Sequence, residues 1–409
     1  MQEPTPPPVL EGQEVADLFK KAYSYTRARE AQASGYYPYF VPIGDSSANE
    51  VVVDGHTLIM VGSNNYLGYT HDPRVMEAAA AAARQYGTGC TGSRFLNGTL
   101  DIHEKLENDL AAFCKKESAL VFSTGFQTNL GTITSLVGRD DVVVMDKLDH
   151  ASIVDGCRLS FGETRRYKHN NLQELDSILS KVHPKKGRMV VVDGVFSMEG
   201  DMPDLPQIVE ISKRHNARLL VDEAHAVGVM GETGIGASEE QGVIDDVDLL
   251  VGTFSKSFAS IGGYVAGEEA VIHYMKHHAR SLIFSASMPP YAVATVQKTL
   301  DLMKAEPERR QRVKDVAARM RNEFKSMGFD IANSQTPIVP VVIGDLQPTF
   351  MFWKRLFEEG IFVNPVVPPA VPATSCLLRT SYMATHTDAH LDRIASTFKK
   401  VGRELGLIP

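Results

Sequence analysis

The sequence predicts an α/β protein in which a large domain with a mostly parallel central sheet precedes a smaller α+β domain. Between residues 62 and 290, short apolar runs alternate with helical segments, as in buried parallel strands whose two faces are covered by helices. From residue 291 to 409 a long helical stretch precedes several strand-like runs. A chain of 409 residues is also long enough for two domains.

The N-terminal region, residues 1–61, is predicted to form a tail and an arm. Prolines cluster between Glu3 and Gly12, which favours an extended or disordered tail because proline fixes φ and donates no backbone hydrogen bond. A charged helical pattern follows from Glu14 to about Gln32. The arm is expected to end in a strand pair at Val51–Val53 and Thr57–Val61.

The central apolar runs tend to end in polar or glycine-rich residues. Ligands of open α/β sheets bind at the carboxyl ends of the strands, so we expect the site there. The predicted strands of the large domain are Ala119–Phe122, Asp141–Met145, Met189–Val192, Leu219–Val221 and Asp248–Val251. Those of the small domain are Ile338–Ile343, Phe362–Val363 and Leu377–Thr380.

Composition excludes several classes of protein. A formal net charge of -8, from 42 basic and 50 acidic residues, has the wrong sign for covering nucleic-acid phosphates. The four cysteines form no C-x-x-C pair, so neither a disulfide framework nor a metal site is expected. No apolar run reaches the ~18 residues of a membrane span, and no signal pattern is present. We therefore expect a protein of the reducing cytoplasm that at most contacts a membrane surface.

Lys256 is the first candidate for chemistry, because it follows an apolar strand and is flanked by hydroxyl residues in Val251–Ser257. A lysine near apolar walls can have a lowered pKa and attack an aldehyde, as Schiff-base lysines do. The alternative is a solvated charge in a loop, the usual fate of lysine. A phosphate-binding loop of the NTPase kind is excluded because its glycine–lysine spacing is absent.

Asp222 and His225, in Leu219–His225, form the second candidate. A carboxylate at the end of a buried strand can pair with a protonated pyridine nitrogen, and His225 could reach the phenolic oxygen of the same cofactor. The letters D-E-A-H also occur in a helicase magnesium site. That interpretation would need the excluded phosphate loop and a basic surface.

Two further segments suit a phosphorylated, flat cofactor. Gly125, in Ser123–Asn129, lets backbone approach a ligand, and the free N–H groups of a helix start attract phosphate. The alternative is a simple N-cap by Ser123 or Thr124. His150 could stack on a ring, although a capped or solvated histidine is more common.

Together, in this order, these segments resemble motifs of the α-oxoamine synthases, which use pyridoxal 5′-phosphate (PLP) and have the type I aminotransferase fold. The likeness runs from about Arg27 to the C-terminus. The segments that carry it are Asn64–Gly68, Gly92–Arg94, Asn97–Thr99, Asp149–Ser152, Asp193–Met198, Asp222–His225 and Gly252–Ser257.

The resemblance implies catalytic roles for Lys256, Asp222, His150 and His225, and a cofactor-binding role for Ser197. Lys256 is the Schiff-base lysine and the base for the Cα proton, and Asp222 pairs with the pyridine nitrogen. His150 stacks on the ring, while His225 and Ser197 bond the phenolic oxygen.

The resemblance also implies a phosphate site and a substrate site. The implied phosphate ligands are the backbone of Gly125 and Phe126, the hydroxyls of Thr253 and Ser255, and Ser285 and Ala286 from the second subunit of a homodimer. Many relatives carry tyrosine or histidine in place of Phe126, so only its backbone N–H is credited. Asn65 and Arg379 are the implied substrate-binding residues, with Arg379 holding the carboxylate.

Within the family, Ser255–Tyr264 and Thr91–Thr99 most resemble the soluble bacterial branch that condenses L-serine with palmitoyl-coenzyme A. This branch forms 3-ketosphinganine, CO₂ and coenzyme A in the first step of sphingolipid synthesis. The alternatives are a synthase of 8-amino-7-oxononanoate, 2-amino-3-ketobutyrate or 5-aminolevulinate, a silent partner subunit, or a simple aminotransferase. Whether coenzyme A or an acyl carrier protein delivers the acyl group stays open.

Overall fold

A computed structural model describes residues 16–409, which form two compact units, 16–41 and 42–409. The predicted tail between Glu3 and Gly12 lies outside the described residues. The first unit contains helices α1 (Lys20–Tyr23) and α2 (Arg27–Ala33). The charged helical pattern predicted from Glu14 to about Gln32 thus contains two short helices, and Glu14 itself lies outside the described residues.

The second unit begins with a small sheet and two helices. Strands β2 and β3 pair antiparallel and confirm the predicted strand pair. These elements are β1 (Asp45–Ser46), β2 (Glu50–Val53), β3 (His56–Met60), a 3₁₀ turn (Tyr69–His71), α3 (Pro73–Tyr86) and α4 (Asp101–Phe113).

A seven-stranded sheet follows, with helices between most of its strands. Its strands are β4 (Ser118–Phe122), β5 (Asp141–Asp146), β6 (Glu163–Tyr167), β7 (Gly187–Asp193), β8 (Arg218–Asp222), β9 (Leu249–Thr253) and β10 (Gly263–Gly267). The intervening helices are α5 (Gly125–Leu136), α6 (Ala151–Leu159), α7 (Leu172–Ser180), α8 (Leu205–Arg214) and α9 (Ala237–Glu240), with a 3₁₀ turn at Ile244–Asp246.

The order β4-β10-β9-β8-β7-β5-β6 is parallel except at β10, which runs antiparallel to both neighbours. This arrangement confirms the predicted α/β fold. The sequence did not indicate β6 or β10. β6 is a polar edge strand paired with β5 alone, and β10 is bounded by glycines that weaken a strand pattern.

The C-terminal part contains a long helical stretch and then a three-stranded antiparallel sheet, β11-β14-β13, while β12 pairs with β3. The domain boundaries predicted at residues 62 and 291 stay a prediction. The elements are α10 (Glu269–His278), α11 (Arg280–Ile283), α12 (Pro290–Ala305), α13 (Pro307–Met327), β11 (Ile338–Gly344), α14 (Leu346–Glu358), β12 (Ile361–Phe362), β13 (Asn364–Val366), β14 (Cys376–Ser381) and α15 (Asp388–Glu404).

The central strands are buried on both faces. In β5, Val142 and Val144 pack into one core cluster, while Val143 and Met145 pack into the cluster on the opposite face. Apolar residues therefore follow one another without polar alternation, as helices on both sides of a sheet require. Over residues 16–409, no helix is both long and apolar enough to cross a bilayer.

Candidate active site

A cavity of ≈ 340 Å³ lies at the carboxyl ends of β7, β8 and β9 and at the start of α5, where the sequence predicted a site. It is of a size that holds a small organic ligand. The residues that line it are Thr124, Gly125, Phe126, Asn129, His150, Ser152, Asp193, Ser197, Asp222, Ala224, His225, Val251, Gly252, Thr253, Ser255, Lys256, Ile261 and Gly262.

Asp222 ends β8 and is 4% exposed. Its Oδ2 accepts a hydrogen bond from Asn129 Nδ2 at 2.6 Å, and its Oδ1 accepts one from the backbone N–H of Ala224 at 2.9 Å. Asn129 also donates to Ser152 Oγ at 2.9 Å, whereas its buried Oδ1 has no partner among the described residues. Two donors thus orient the carboxylate toward the cavity.

His150 caps α6 and lines the cavity at the same time, and its stacking on a cofactor ring stays a prediction. Its Nδ1 accepts from the backbone N–H of Ser152 at 3.3 Å and lies 2.7 Å from Ser152 Oγ. Burial lowers the pKa of His150, with Asp222 opposing and Lys256 adding to the effect. A ring that accepts at Nδ1 carries its proton on Nε2 when neutral, and it presents a flat wall to the cavity.

Lys256 lies in the loop after β9 and lines the cavity with a partly buried side chain, in contrast to the solvated alternative. Burial lowers the pKa of Lys256 to about 8, although the nearby carboxylates of Asp222 and Asp193 oppose the shift. A sizeable fraction of this amine is neutral near physiological pH, as a nucleophile or proton acceptor requires.

His225 is 9% exposed and its Nδ1 lies 2.7 Å from the Tyr66 hydroxyl. Burial, and then the positive charges of Lys256 and Arg379, lower the pKa of His225 well below its usual value. Tyr66 was part of a motif but was not predicted as a site residue. The signal that could have found it is its place between two polar residues and a glycine in Asn64–Gly68.

The start of α5 forms an anion cradle with β9. The Thr124 side chain caps the helix by accepting from the Gln127 N–H at 3.1 Å, while the first turn keeps free N–H groups. Thr253 Oγ1 lies 3.0 Å from Ser255 Oγ on the facing side. A Cβ at Gly125 would approach Thr253 Oγ1 to 2.6 Å, so the cradle needs glycine.

Ser285 and Ala286 lie beside this cradle in their own chain. Ser285 Oγ accepts from Gln127 Nε2 at 3.0 Å, and the Ala286 carbonyl accepts from Ser123 Oγ at 2.5 Å. Their contribution to the phosphate of a second subunit stays a prediction.

Arg379 lies on β14, is 5% exposed and has three anchors. Its Nε donates to the Ser197 carbonyl at 2.5 Å, Nη2 to Asn64 Oδ1 at 3.0 Å and Nη1 to Ser381 Oγ at 3.3 Å. Asn64 was not among the predicted site residues, whereas its neighbour Asn65 was. Asn65 donates to Thr70 Oγ1 instead and is absent from the cavity lining, so its contact with substrate stays a prediction.

The donor set fits PLP. The α5 cradle with Thr253 and Ser255 suits a phosphate, and His150 supplies a flat wall. Asp222 supplies a carboxylate for a ring nitrogen, and Lys256 supplies a partly neutral amine for an aldehyde.

Comparison with known proteins agrees with this geometry. Residues 56–398 match the family described as aminotransferase class I and II. A serine palmitoyltransferase of Sphingobacterium spiritivorum is 46% identical over 387 residues, covering 95% of this chain and 97% of the relative. An 8-amino-7-oxononanoate synthase of Geobacter sulfurreducens is 41% identical over 383 residues, covering 93% of this chain and 98% of the relative.

A solved structure of a serine palmitoyltransferase variant from S. paucimobilis, with a bound PLP–myriocin aldimine, has the same fold. Its TM-score is 0.93 at 36% identity, covering 96% of this chain and all of that one.

Proposed function

Because the chain belongs to the aminotransferase class I and II family, and within it to the α-oxoamine synthases, we propose that it condenses L-serine with a long-chain acyl thioester. The reaction releases CO₂ and coenzyme A and gives 3-ketosphinganine when the acyl donor is palmitoyl-coenzyme A. The observation that carries the proposal is the meeting of Lys256, Asp222 and His150 around one cavity.

The cofactor is PLP, and bound PLP supplies an electron sink for negative charge at the Cα of the amino acid. Lys256 is the attachment point of PLP. Asp222 faces the ring nitrogen of the cofactor, and His150 faces the ring itself. His225 and Ser197 hold its phenolic oxygen. The residues that hold its phosphate are Gly125, Phe126, Thr253 and Ser255, with Ser285 and Ala286 of a second subunit.

Lys256 moves the proton at Cα. Its pKa of about 8 lets the amine accept a proton and return it within the same pH range. Arg379 binds the substrate carboxylate through guanidinium N–H groups, which sets the direction of the bond to be broken. Burial of the site excludes water and keeps the carboxylate–guanidinium pair strong.

The second candidate is the condensation that forms 8-amino-7-oxononanoate, because a synthase of that kind is 41% identical to this chain. The higher identity to a serine palmitoyltransferase, 46%, favours serine. A silent partner subunit is disfavoured by the presence of Lys256 in the cavity. The proposed working unit is a homodimer in the cytoplasm, because the family resemblance assigns Ser285 and Ala286 to the phosphate of a second subunit and two-fold dimers are the commonest assembly.

The deciding experiment compares L-serine, glycine and L-alanine as substrates with palmitoyl-coenzyme A, and identifies products by mass. We expect the 3-ketosphinganine mass from serine and none from the Lys256→Ala protein. Acetyl-, octanoyl- and palmitoyl donors then test chain length, because each buried methylene contributes ~0.8 kcal/mol where an apolar surface receives it. A preference for alanine with a pimeloyl donor would move the chain to the second candidate, and transamination of serine alone would contradict both.

A further inference from the structure

His169, in the loop after β6, joins two buried carboxylates outside the cavity. Its Nδ1 lies 3.1 Å from Asp146 Oδ1 at the end of β5, and its Nε2 lies 3.1 Å from Asp201 Oδ2 beyond β7. Asp146 is 0% and Asp201 7% exposed. A neutral imidazole donates from one nitrogen only, so a ring between two ionised carboxylates fits protonation on both nitrogens.

The surroundings of His169 support that charge. Burial opposes it, but the hydrogen bonds and charges of Asp146 and Asp201 outweigh burial and raise the pKa of His169 to about 10. Asp146 is itself fixed by backbone donors, since its Oδ1 accepts from the Leu148 N–H and its Oδ2 from the Asn170 N–H. The imidazolium is therefore anchored to the sheet through Asp146.

His169 also contacts both ends of one closed turn, residues 196–201. Its ring packs edge-on against Phe196, with centroids 4.4 Å apart and planes at 89°. The Phe196 N–H donates to the Asp201 carbonyl at 3.0 Å, and the Gly200 N–H donates to the Phe196 carbonyl at 2.9 Å. One charged ring thus connects the end of β5 with the first and last residues of this turn.

The turn carries an anchor of the substrate-binding arginine. Ser197, its second residue, accepts from Arg379 Nε at 2.5 Å. We infer that His169 is a positioning residue, which holds the 196–201 turn so that the Ser197 carbonyl sets the Arg379 guanidinium for the carboxylate of the amino-acid substrate. This inference rests on the proposed function, in which Arg379 binds that carboxylate.

The test uses the holoprotein and two ligands, L-serine and L-serinamide, which differ in the carboxylate alone. His169→Gln keeps a side chain that donates to one carboxylate but turns an oxygen toward the other. Because small misplacements of a positioning group weaken binding strongly, we expect the Kd for serine to rise about tenfold while that for serinamide and for PLP stays unchanged. In a protein that already carries Arg379→Lys, His169→Gln should raise the Kd for serine little further.

The matched control is His215→Gln. His215 is also partly buried and bonded to a carboxylate, Asp176 at 2.7 Å, but it lies at the end of α8. Neither Kd should change in this variant. Asp201→Asn is the second test of the turn itself, and it should reproduce the selective loss of serine affinity.

A further readout needs no ligand. In the apoprotein, ¹⁵N NMR should show both ring nitrogens of His169 protonated at pH 8, and one of them should lose its proton in Asp201→Asn. The inference is overturned if folded His169→Gln and Asp201→Asn proteins keep the wild-type ratio of serine to serinamide affinity. If the wild-type protein itself does not distinguish the two ligands, the proposed role of Arg379 fails instead.

Discussion

The buried ion pair between Arg94 and Glu107 predicts a large loss of stability from one substitution outside the lining of the cofactor cavity. Arg94 Nη1 and Nη2 lie 2.7 and 2.9 Å from the two Glu107 oxygens, and the side chains are 5% and 10% exposed. Glu107 Oε1 also accepts from the Val121 N–H at 2.9 Å, which connects the pair to β4.

Arg94→Met removes the guanidinium but keeps most of the volume, and leaves Glu107 with the Val121 N–H as its remaining donor. Removing one partner of a buried pair costs about 3–5 kcal/mol, because the other charge stays buried without compensation. Urea unfolding followed by far-ultraviolet circular dichroism measures the free energy of unfolding. Combining Arg94→Met with Glu107→Gln, which keeps an acceptor for the Val121 N–H, should restore part of the lost free energy of unfolding.

The control is Arg84→Met, because Arg84 and its partner Glu77 are 70% and 69% exposed and such surface pairs contribute little. Its unfolding curve should overlay that of the wild type. If Arg94→Met lost no more stability than Arg84→Met, or if the double variant were no more stable than Arg94→Met alone, the reasoning about the buried charge would be refuted.

Three further predictions concern the site. Arg379→Ala should weaken serine binding by about 2–5 kcal/mol while PLP affinity holds, measured by titration of the holoprotein; equal losses for both ligands would contradict the assigned role. Gly125→Ala should cost about 1–3 kcal/mol of stability and weaken PLP binding, because the new Cβ would lie 2.6 Å from Thr253 Oγ1. Gly89→Ala, with nothing within 4 Å of its Cβ, is the control. Labelling of Lys256 in the apoprotein by an amine reagent should rise with pH through about 8, since burial lowers its pKa and the neutral amine reacts; a midpoint above pH 10 would exclude that environment.

Much of the fold followed from the sequence because the central strands are buried on both faces. That burial requires uninterrupted apolar runs, and these are visible in one dimension. The polar residues that end the runs, such as Asp222, necessarily lie at one edge of a parallel sheet, so the location of the site was also predictable. β6 and β10 were not predicted, because an edge strand need not be apolar and a strand bounded by glycines has only a weak apolar pattern.

The fold class, the edge of the sheet that bears the site and the residue types that suit PLP there could all be predicted from the amino-acid sequence. The side chains that support those residues became visible only in three dimensions: Asn129 orients Asp222, and Asn64 rather than Asn65 contacts Arg379. His169 is a further case, since one of its two carboxylates ends β5 and the other lies in the turn after β7. Local patterns report burial and backbone geometry, whereas hydrogen-bond partners and shifted pKa values depend on which distant segments the packing brings within a few ångströms.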